Sequence, residues 1–142
     1  MKVSDLMSTN IISVTPEQSV ASAARLLQRH NIGSLPVCSD EGKLRGIVTD
    51  RDIVLRCVAG ENDPEETKIK EIMTRGVVTV SPGDDVAEAT RVMALEQVRR
   101  LPVVEQSRVV GILSLGDMAT KDIFDMEASR ALAEISSAPR RF

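Results

Sequence analysis

The stretch Gly46-Ile47-Val48-Thr49-Asp50-Arg51-Asp52 decides how the chain is organised, because it occurs again as Gly111-Ile112-Leu113-Ser114-Leu115-Gly116-Asp117. Each copy reads glycine, two aliphatic residues, a hydroxyl residue, two variable residues and aspartate. A glycine with an aliphatic run suits a buried strand, and a hydroxyl residue followed three positions later by an acid suits a helix start. The sequence therefore predicts two similar strand-to-helix corners, and the rest of the chain reads as the scaffold that holds them.

The corners belong to a longer internal repeat, which is the first feature to look for in any sequence. Met7 recurs as Met73 and Pro16 as Pro82, both 66 residues later. The offset falls to 65 residues at the two corners, so one turn is a residue shorter in the second copy. We expect a first repeat over residues 1–58, a polar acidic linker over 59–66, a second repeat over 67–121 and a tail over 122–142.

Each repeat follows the order β-α-β-β-α. The predicted strands are Ile11–Val14, Leu35–Cys38 and Leu44–Val48, and then Val77–Val80, Leu101–Val104 and Val109–Leu113. A hydroxyl N-cap and a proline predict helix starts at Thr15-Pro16 and Ser81-Pro82. Later helices are expected from Asp50 to about Val58 and from Leu115 to about Lys121.

The helices of one repeat cannot cover both faces of its sheet. We therefore predict an α/β (α+β) fold of two pseudo-symmetric repeats packed sheet to sheet, followed by a helical tail. The tail contains four apolar residues that could dock on this chain or on a partner subunit: Ile123, Phe124, Leu132 and Ile135.

Composition excludes several classes of function. The net charge is −3 and aromatic residues make up 1% of the chain, so neither a basic surface nor base stacking supports nucleic-acid binding. No run approaches the ~20 apolar residues that span a bilayer. Cys38, Cys57 and the only histidine, His30, form no metal or catalytic pattern. We expect a cytoplasmic protein that is not an enzyme and holds neither a metal nor a catalytic cofactor.

The repeat resembles the paired cystathionine β-synthase (CBS) domain, or Bateman module, over about residues 3–121. The resemblance is carried by the hydrophobic-Met-Ser/Thr opening, the Thr/Ser-Pro pair, the Leu-Pro-Val strand and the two corners. It extends to small stand-alone bacterial members of the family. It implies two inter-repeat clefts, a homodimer, and binding of an adenosine-containing ligand (AMP, ADP, ATP, NAD or S-adenosylmethionine) that regulates another protein.

The residues suit such a ligand. A carboxylate can accept hydrogen bonds from both ribose hydroxyls, and a hydroxyl at a helix start can hold a phosphate. By the resemblance, Arg99 and Arg100 match phosphate-binding positions, and adenine would lie between aliphatic side chains. The expected ligand-binding residues are Asp52, Thr49, Ile12, Gly33, Ser34, Asp117, Ser114, Arg99, Arg100, Val78 and Val98.

Both corners also satisfy a capping box, which needs no ligand. The alternative function is therefore a structural or interaction dimer with vestigial clefts. The copies differ as well: Asp50 would repel phosphate at the first corner, while Gly116 leaves space at the second. We predict inequivalent sites, with the Ser114/Asp117 corner the better one.

Overall fold

The computed structural model describes residues 1–119 and 133–135, which belong to two compact units. Unit I is Ile12–Val77, and unit II combines Met1–Ile11 with the described residues from Val78 onward. Each unit therefore takes the opening segment of the other repeat (residues 1–11 or 67–77). Compact units and sequence repeats divide the chain at different points, and the domain boundaries expected from the repeat stay a prediction.

From the first long helix onward, the elements follow the expected α-β-β-α order in both copies. In the first copy they are α1 (Val3–Leu6), α2 (Val20–His30), β1 (Ser34–Cys38), β2 (Leu44–Thr49) and α3 (Asp50–Asp52), which continues as a π-helical turn over Ile53–Val58. In the second they are a 3₁₀ turn (Ile69–Glu71), α4 (Val86–Glu96), β3 (Arg100–Glu105), β4 (Arg108–Ser114) and α5 (Leu115–Ala119). The α+β class and the helix from Asp50 to Val58 are confirmed.

Each unit is built on an antiparallel hairpin, β1–β2 in unit I and β3–β4 in unit II. The second strand of each hairpin also pairs with an opening segment. Thr74 bridges to Ile47 in unit I, and Ser8 bridges to Ile112 in unit II. The repeated corner therefore ends a strand that lies between its hairpin partner and the opening segment of the other repeat.

The strands predicted over Ile11–Val14 and Val77–Val80 are wrong in extent: each is a single parallel bridge, Val14 to Val37 and Val80 to Val103. Prolines explain the limit. Val14 bonds to the Pro36 carbonyl and to the Cys38 amide, and the next bonds of that ladder would need amide hydrogens from Pro16 and Pro36. Proline has none, so the ladder stops after one residue. Pro82 and Pro102 act in the same way in unit II.

The helix starts predicted at Thr15 and Ser81 are also wrong, because α2 begins at Val20 and α4 at Val86. The Gln18 and Asp84 side chains do accept from the Thr15 and Ser81 amides, at 2.8 and 2.9 Å, but they close turns and not helices. The actual N-caps are Ser19 and Asp85. Backbone carbonyls complete the caps: the Val20 amide donates to Thr67 and the Val86 amide to Met1.

The core of unit I is aliphatic, as the composition requires. Buried residues of α2 pack with strand residues and with the opening segment of the second repeat. Fully or nearly buried members are Val14, Val20, Ala23, Leu27, Leu35, Val37, Val48, Cys57, Ile69, Ile72 and Met73. Ile69 is 0% exposed, so the opening segment 67–77 contributes to the core of unit I.

Of the tail residues singled out above, Ile123, Phe124 and Leu132 lie outside the described residues. Ile135 is described and is 1% exposed within the single chain. Its burial favours packing on this chain over docking on a partner subunit. Among the described residues, no helix is both long and apolar enough to cross a bilayer.

On the surface of unit I, Glu17 forms ion pairs with two lysines of the opening segment 67–77. Lys68 and Lys70 each donate a hydrogen bond to its carboxylate at 2.8 Å, and these bonds lower the pKa of Glu17 from 4.5 to about 2. The resulting stabilisation is present above the unfolded-state pKa and is lost as the pH falls through the folded-state pKa. We expect an NMR titration midpoint near 2 for the Glu17 carboxyl group, rising in a Lys68→Gln/Lys70→Gln variant. An ordinary midpoint in the wild type would contradict the attachment.

Candidate functional site

At the first corner, Thr49 and Asp52 form a complete capping box. The Asp52 amide donates to Thr49 Oγ1 at 2.9 Å, and the Thr49 amide donates to Asp52 Oδ2 at 3.1 Å. Thr49 is 0% and Asp52 6% exposed. Both oxygens of this carboxylate thus face protein groups.

Two further groups approach the same carboxylate from elsewhere in unit I. The Thr74 hydroxyl lies 3.2 Å from Asp52 Oδ1 and 3.3 Å from Oδ2, and Arg56 Nε lies 3.8 Å from Oδ1. The Arg56 guanidinium also donates to the carbonyls of Ile72 and Met73, at 3.1 and 3.3 Å. Asp52 therefore joins the corner to the exchanged opening segment. This geometry favours the capping role of Asp52, and ribose binding by Asp52 stays a prediction.

The start of β1, with Gly33 and Ser34, lies against this corner, and ligand binding by these two residues stays a prediction. Ser34 pairs with Thr49, and the Asp50 amide donates to the Gly33 carbonyl at 3.0 Å. A Cβ on Gly33 would sit 3.4 Å from Asp50 Oδ2, so the Asp50 carboxylate also lies beside Gly33. The first corner consequently presents a negative charge where a phosphate was expected.

The second corner brings together the corresponding residues of unit II. Arg100 pairs with Ser114, and the Leu115 amide donates to the Arg99 carbonyl at 2.8 Å. The Asp117 amide donates to Ser114 Oγ at 3.0 Å. Ser114, Asp117 and Arg100 are all half-buried, in contrast to the closed Thr49 and Asp52 pair.

The aliphatic residues expected around adenine have different surroundings. Ile12 is half-buried and packs on the unit I core. In unit II, Val78 is half-buried, while Val98 is 1% exposed and its amide donates to the Met93 carbonyl at 3.0 Å. Val98 therefore belongs to the core at the end of α4, and its contact with a ligand stays a prediction.

The glycine that opens each corner has a role that the motif alone does not reveal. A Cβ on Gly46 would lie 2.6 Å from the Thr74 carbonyl oxygen, and one on Gly111 would lie 2.5 Å from Met7 Sδ. Each glycine therefore makes room for the opening segment of the other repeat. The repeated Met-Ser/Thr pair marks the opening segment in the sequence, but its recurrence does not show which glycine each copy approaches.

Among the described residues, metal-ligating groups and thiols form no further site outside these corners. No group of three or more His, Cys, Asp or Glu side chains in the described part of the chain is placed to hold a metal ion. Both cysteines are buried and free, and burial raises the pKa of the Cys38 thiol. Cys38 therefore stays protonated and behaves as a small apolar core residue.

Comparison with known proteins agrees with the repeat and the fold. The CBS domain profile matches residues 3–58 and 69–122. The chain is 40% identical over 134 residues to the CBS domain-containing protein YhcV of Bacillus subtilis, covering 94% of each chain.

Two solved structures are similar over most of their length. Hypoxic Response Protein I, solved with two coordinated zinc ions, has a TM-score of 0.78 and 33% identity, covering 84% of this chain and 98% of that chain. The CBS domain pair of protein MJ0100, solved with 5′-methylthioadenosine and S-adenosyl-L-methionine, has a TM-score of 0.75 and 33% identity, covering 89% and 98%. With the profile matched twice, over most of the sequence, this chain belongs to the CBS domain family and carries a pair of such domains.

Proposed function

We propose that the chain is a regulatory module that binds an adenosine-containing small molecule at the Ser114–Asp117 corner. The observation that carries the proposal is the pairing of Arg100 with Ser114, together with the bond from the Leu115 amide to the Arg99 carbonyl. It sets two arginines beside a helix start with a half-buried acid. The adenosyl complex of the similar CBS pair of MJ0100 supports this class of ligand.

Each group at this corner has a distinct use. The Asp117 carboxylate can accept hydrogen bonds from the two ribose hydroxyls, and the Ser114 hydroxyl can exchange one with the ligand in addition to its bond from the Asp117 amide. A guanidinium at Arg99 or Arg100 suits the anionic end of the ligand, whether phosphate or carboxylate. Gly116 adds no side chain next to the acid.

The first corner is proposed as the weaker site. Its Asp52 carboxylate is 6% exposed, and a ligand would have to displace the Thr74 hydroxyl to reach it. The Asp50 carboxylate beside Gly33 would also repel a phosphate. One bound ligand per chain is therefore the expected stoichiometry.

Calorimetric titration with AMP, ADP, ATP, NAD and S-adenosylmethionine tests the proposal. We expect at least one of them to bind the wild type, and Asp117→Ala to weaken binding by roughly tenfold or more, because a charge-assisted contact is lost. Glu105→Gln removes an exposed acid from the hairpin of the same unit and should bind like the wild type. Binding that is unchanged in Asp117→Ala, or no binding at all, would refute the site.

The alternative, an interaction module without a nucleotide, has one specific observation in its favour. Val54, Leu55 and Val58 in the π-helical turn are 54%, 52% and 58% exposed. An exposed apolar face of this kind is typical of a contact surface, and it supports the homodimer implied by the resemblance. Under this alternative, Val54→Lys would change the oligomeric state measured by light scattering, and no nucleotide would raise the melting temperature.

A further inference from the structure

Unit I contains a pocket of about 440 Å³ that is distinct from its corner. Its lining includes Ser39 and Asp40, which follow the end of β1, and Arg45, near the start of β2. The Thr49–Asp52 corner lies at the other end of β2. The pocket is therefore separated from the corner by the length of the strand, and its volume lies within the range of small-molecule sites.

Cationic side chains outnumber carboxylates in the lining of this pocket, by three to two. Arg45, Lys70 and Arg75 line it, and the carboxylates in its lining are Glu17 and Asp40. Glu17 is already held by both Lys68 and Lys70. Among the described residues, Arg45 and Arg75 have no ion-pair partner, so their guanidinium groups are available to an incoming anion.

The internal repeat shows which lining residues the fold itself needs. Pro16 and Met73 correspond to Pro82 and Met7 of unit II, so the apolar part of the lining is common to both copies. The charged part is not. Arg45, Lys70, Arg75 and Glu17 correspond to Val110, Ser4, Thr9 and Gly83.

A purely structural role would be expected in both copies, because they share their strand pairings and their bridges to the opening segments. The unit II positions carry uncharged residues and still form the same hairpin. Arg45 and Arg75 are therefore not required by the fold, whereas Lys70 holds Glu17, and a chain with a net charge of −3 places these cations around one pocket. Such a concentration attracts and holds anions.

We propose that this pocket binds a small phosphate monoester. The guanidinium groups of Arg45 and Arg75 can each present a fork of donors to phosphate oxygens, and the hydroxyls of Thr15 and Ser39 add donors in the lining. Pro16 and Met73 provide an apolar contact for the carbon body of the ligand. The Asp40 carboxylate can accept hydrogen bonds from hydroxyl groups of the ligand.

The site does not depend on the adenosyl proposal, since every lining residue lies in unit I and the Ser114–Asp117 corner lies in unit II. A chain with both sites would respond to two different small molecules. The two proposals can consequently fail separately. Asp117→Ala should leave phosphate binding unchanged, and changes in the pocket should leave adenosyl binding unchanged.

The repeat also supplies the variant for the test. Arg45→Val with Arg75→Thr installs the residue types of unit II, which the same fold accommodates. We expect glycerol 3-phosphate and inorganic phosphate to bind the wild type saturably at about 0.15 M salt, where non-specific attraction is screened. The double variant should bind roughly tenfold or more weakly, while Arg29→Gln, an exposed arginine on α2 outside the pocket, should match the wild type.

Amide chemical shifts of the wild type provide a second measurement that does not depend on the stability of the variant. Glycerol 3-phosphate should shift the amide resonances of Ser39, Asp40 and Arg75, and glycerol alone should not. The proposal is overturned if the wild type shows no saturable binding, if the double variant binds equally well, or if the shifted amides lie outside the pocket.

Discussion

Replacing Gly46 by alanine is expected to lower the free energy of unfolding by about 2–3 kcal/mol, the upper part of the range for overpacking a close contact. The added Cβ would lie 2.6 Å from the carbonyl oxygen of Thr74, which real Cβ atoms do not tolerate. The Thr74 backbone cannot move away freely, because its amide and carbonyl both bond to Ile47, at 2.8 and 2.9 Å. Urea unfolding measures the loss, and the exchanged segment should loosen first.

Alanine substitutions at two other glycines, Gly111 and Gly83, serve as comparisons for Gly46→Ala. A Cβ on Gly111 would chiefly meet the Met7 side chain, at 2.5 Å from Sδ, and a methionine can change rotamer. Gly111→Ala should therefore cost less than Gly46→Ala. A Cβ on Gly83 would meet nothing within 4 Å, so Gly83→Ala should be neutral or slightly stabilising. Equal losses for Gly46→Ala and Gly83→Ala would show that the close approach does not constrain the fold.

The second large effect is expected for Asp52→Ala, which should destabilise the chain by about 3 kcal/mol, the sum of a lost cap and an unsatisfied buried donor. The change removes a helix cap and leaves the buried Thr49 amide without its acceptor. It also removes the partner of the Thr74 hydroxyl and of Arg56. Asp50→Ala is the matched control, since this acid is exposed on the same turn and bonds mainly to the Arg51 amide next to it.

A double-mutant cycle with Thr74→Val separates the cap from the contact with the opening segment. If Asp52 and Thr74 act together, the two losses should not add, because each variant removes the same hydrogen bond. A loss below about 1 kcal/mol for Asp52→Ala would contradict a structural role for this carboxylate. Ligand binding would then be the better explanation of why an acid occupies the buried end of the first corner.

Local chemistry was sufficient to predict much of this fold. Glycine and aliphatic runs predicted the strands of both hairpins, and the repeated hydroxyl-x-x-Asp pattern predicted the helix starts at Asp50 and Leu115. The helix starts were misplaced because Thr15-Pro16 resembles an N-cap with a first-turn proline, while the true cap, Ser19, depends on the Thr67 carbonyl beside it. A partner 48 positions along the chain leaves no trace in a local pattern.

The exchange of opening segments was not predictable for a related reason. A repeat shows that Met7 and Met73 occupy equivalent positions, but it does not show which copy each one packs on. The same limit applies to the site. Sequence spacing predicted the Thr49–Asp52 bond pattern, whereas the contact of Asp52 with Thr74 arises only when the second repeat's opening segment reaches unit I.

The exchange has a consequence for how such chains can be recombined. Gly46 and Thr74 touch in space but lie on opposite sides of the acidic stretch 59–66, the natural crossover point between the copies. In a chimaera joined there, the hairpin of each unit would pair with an opening segment from the other parent. The two copies are therefore expected to vary as a matched set, and a transplant from a relative should include both, because a crossover after residue 77 would restore only unit I.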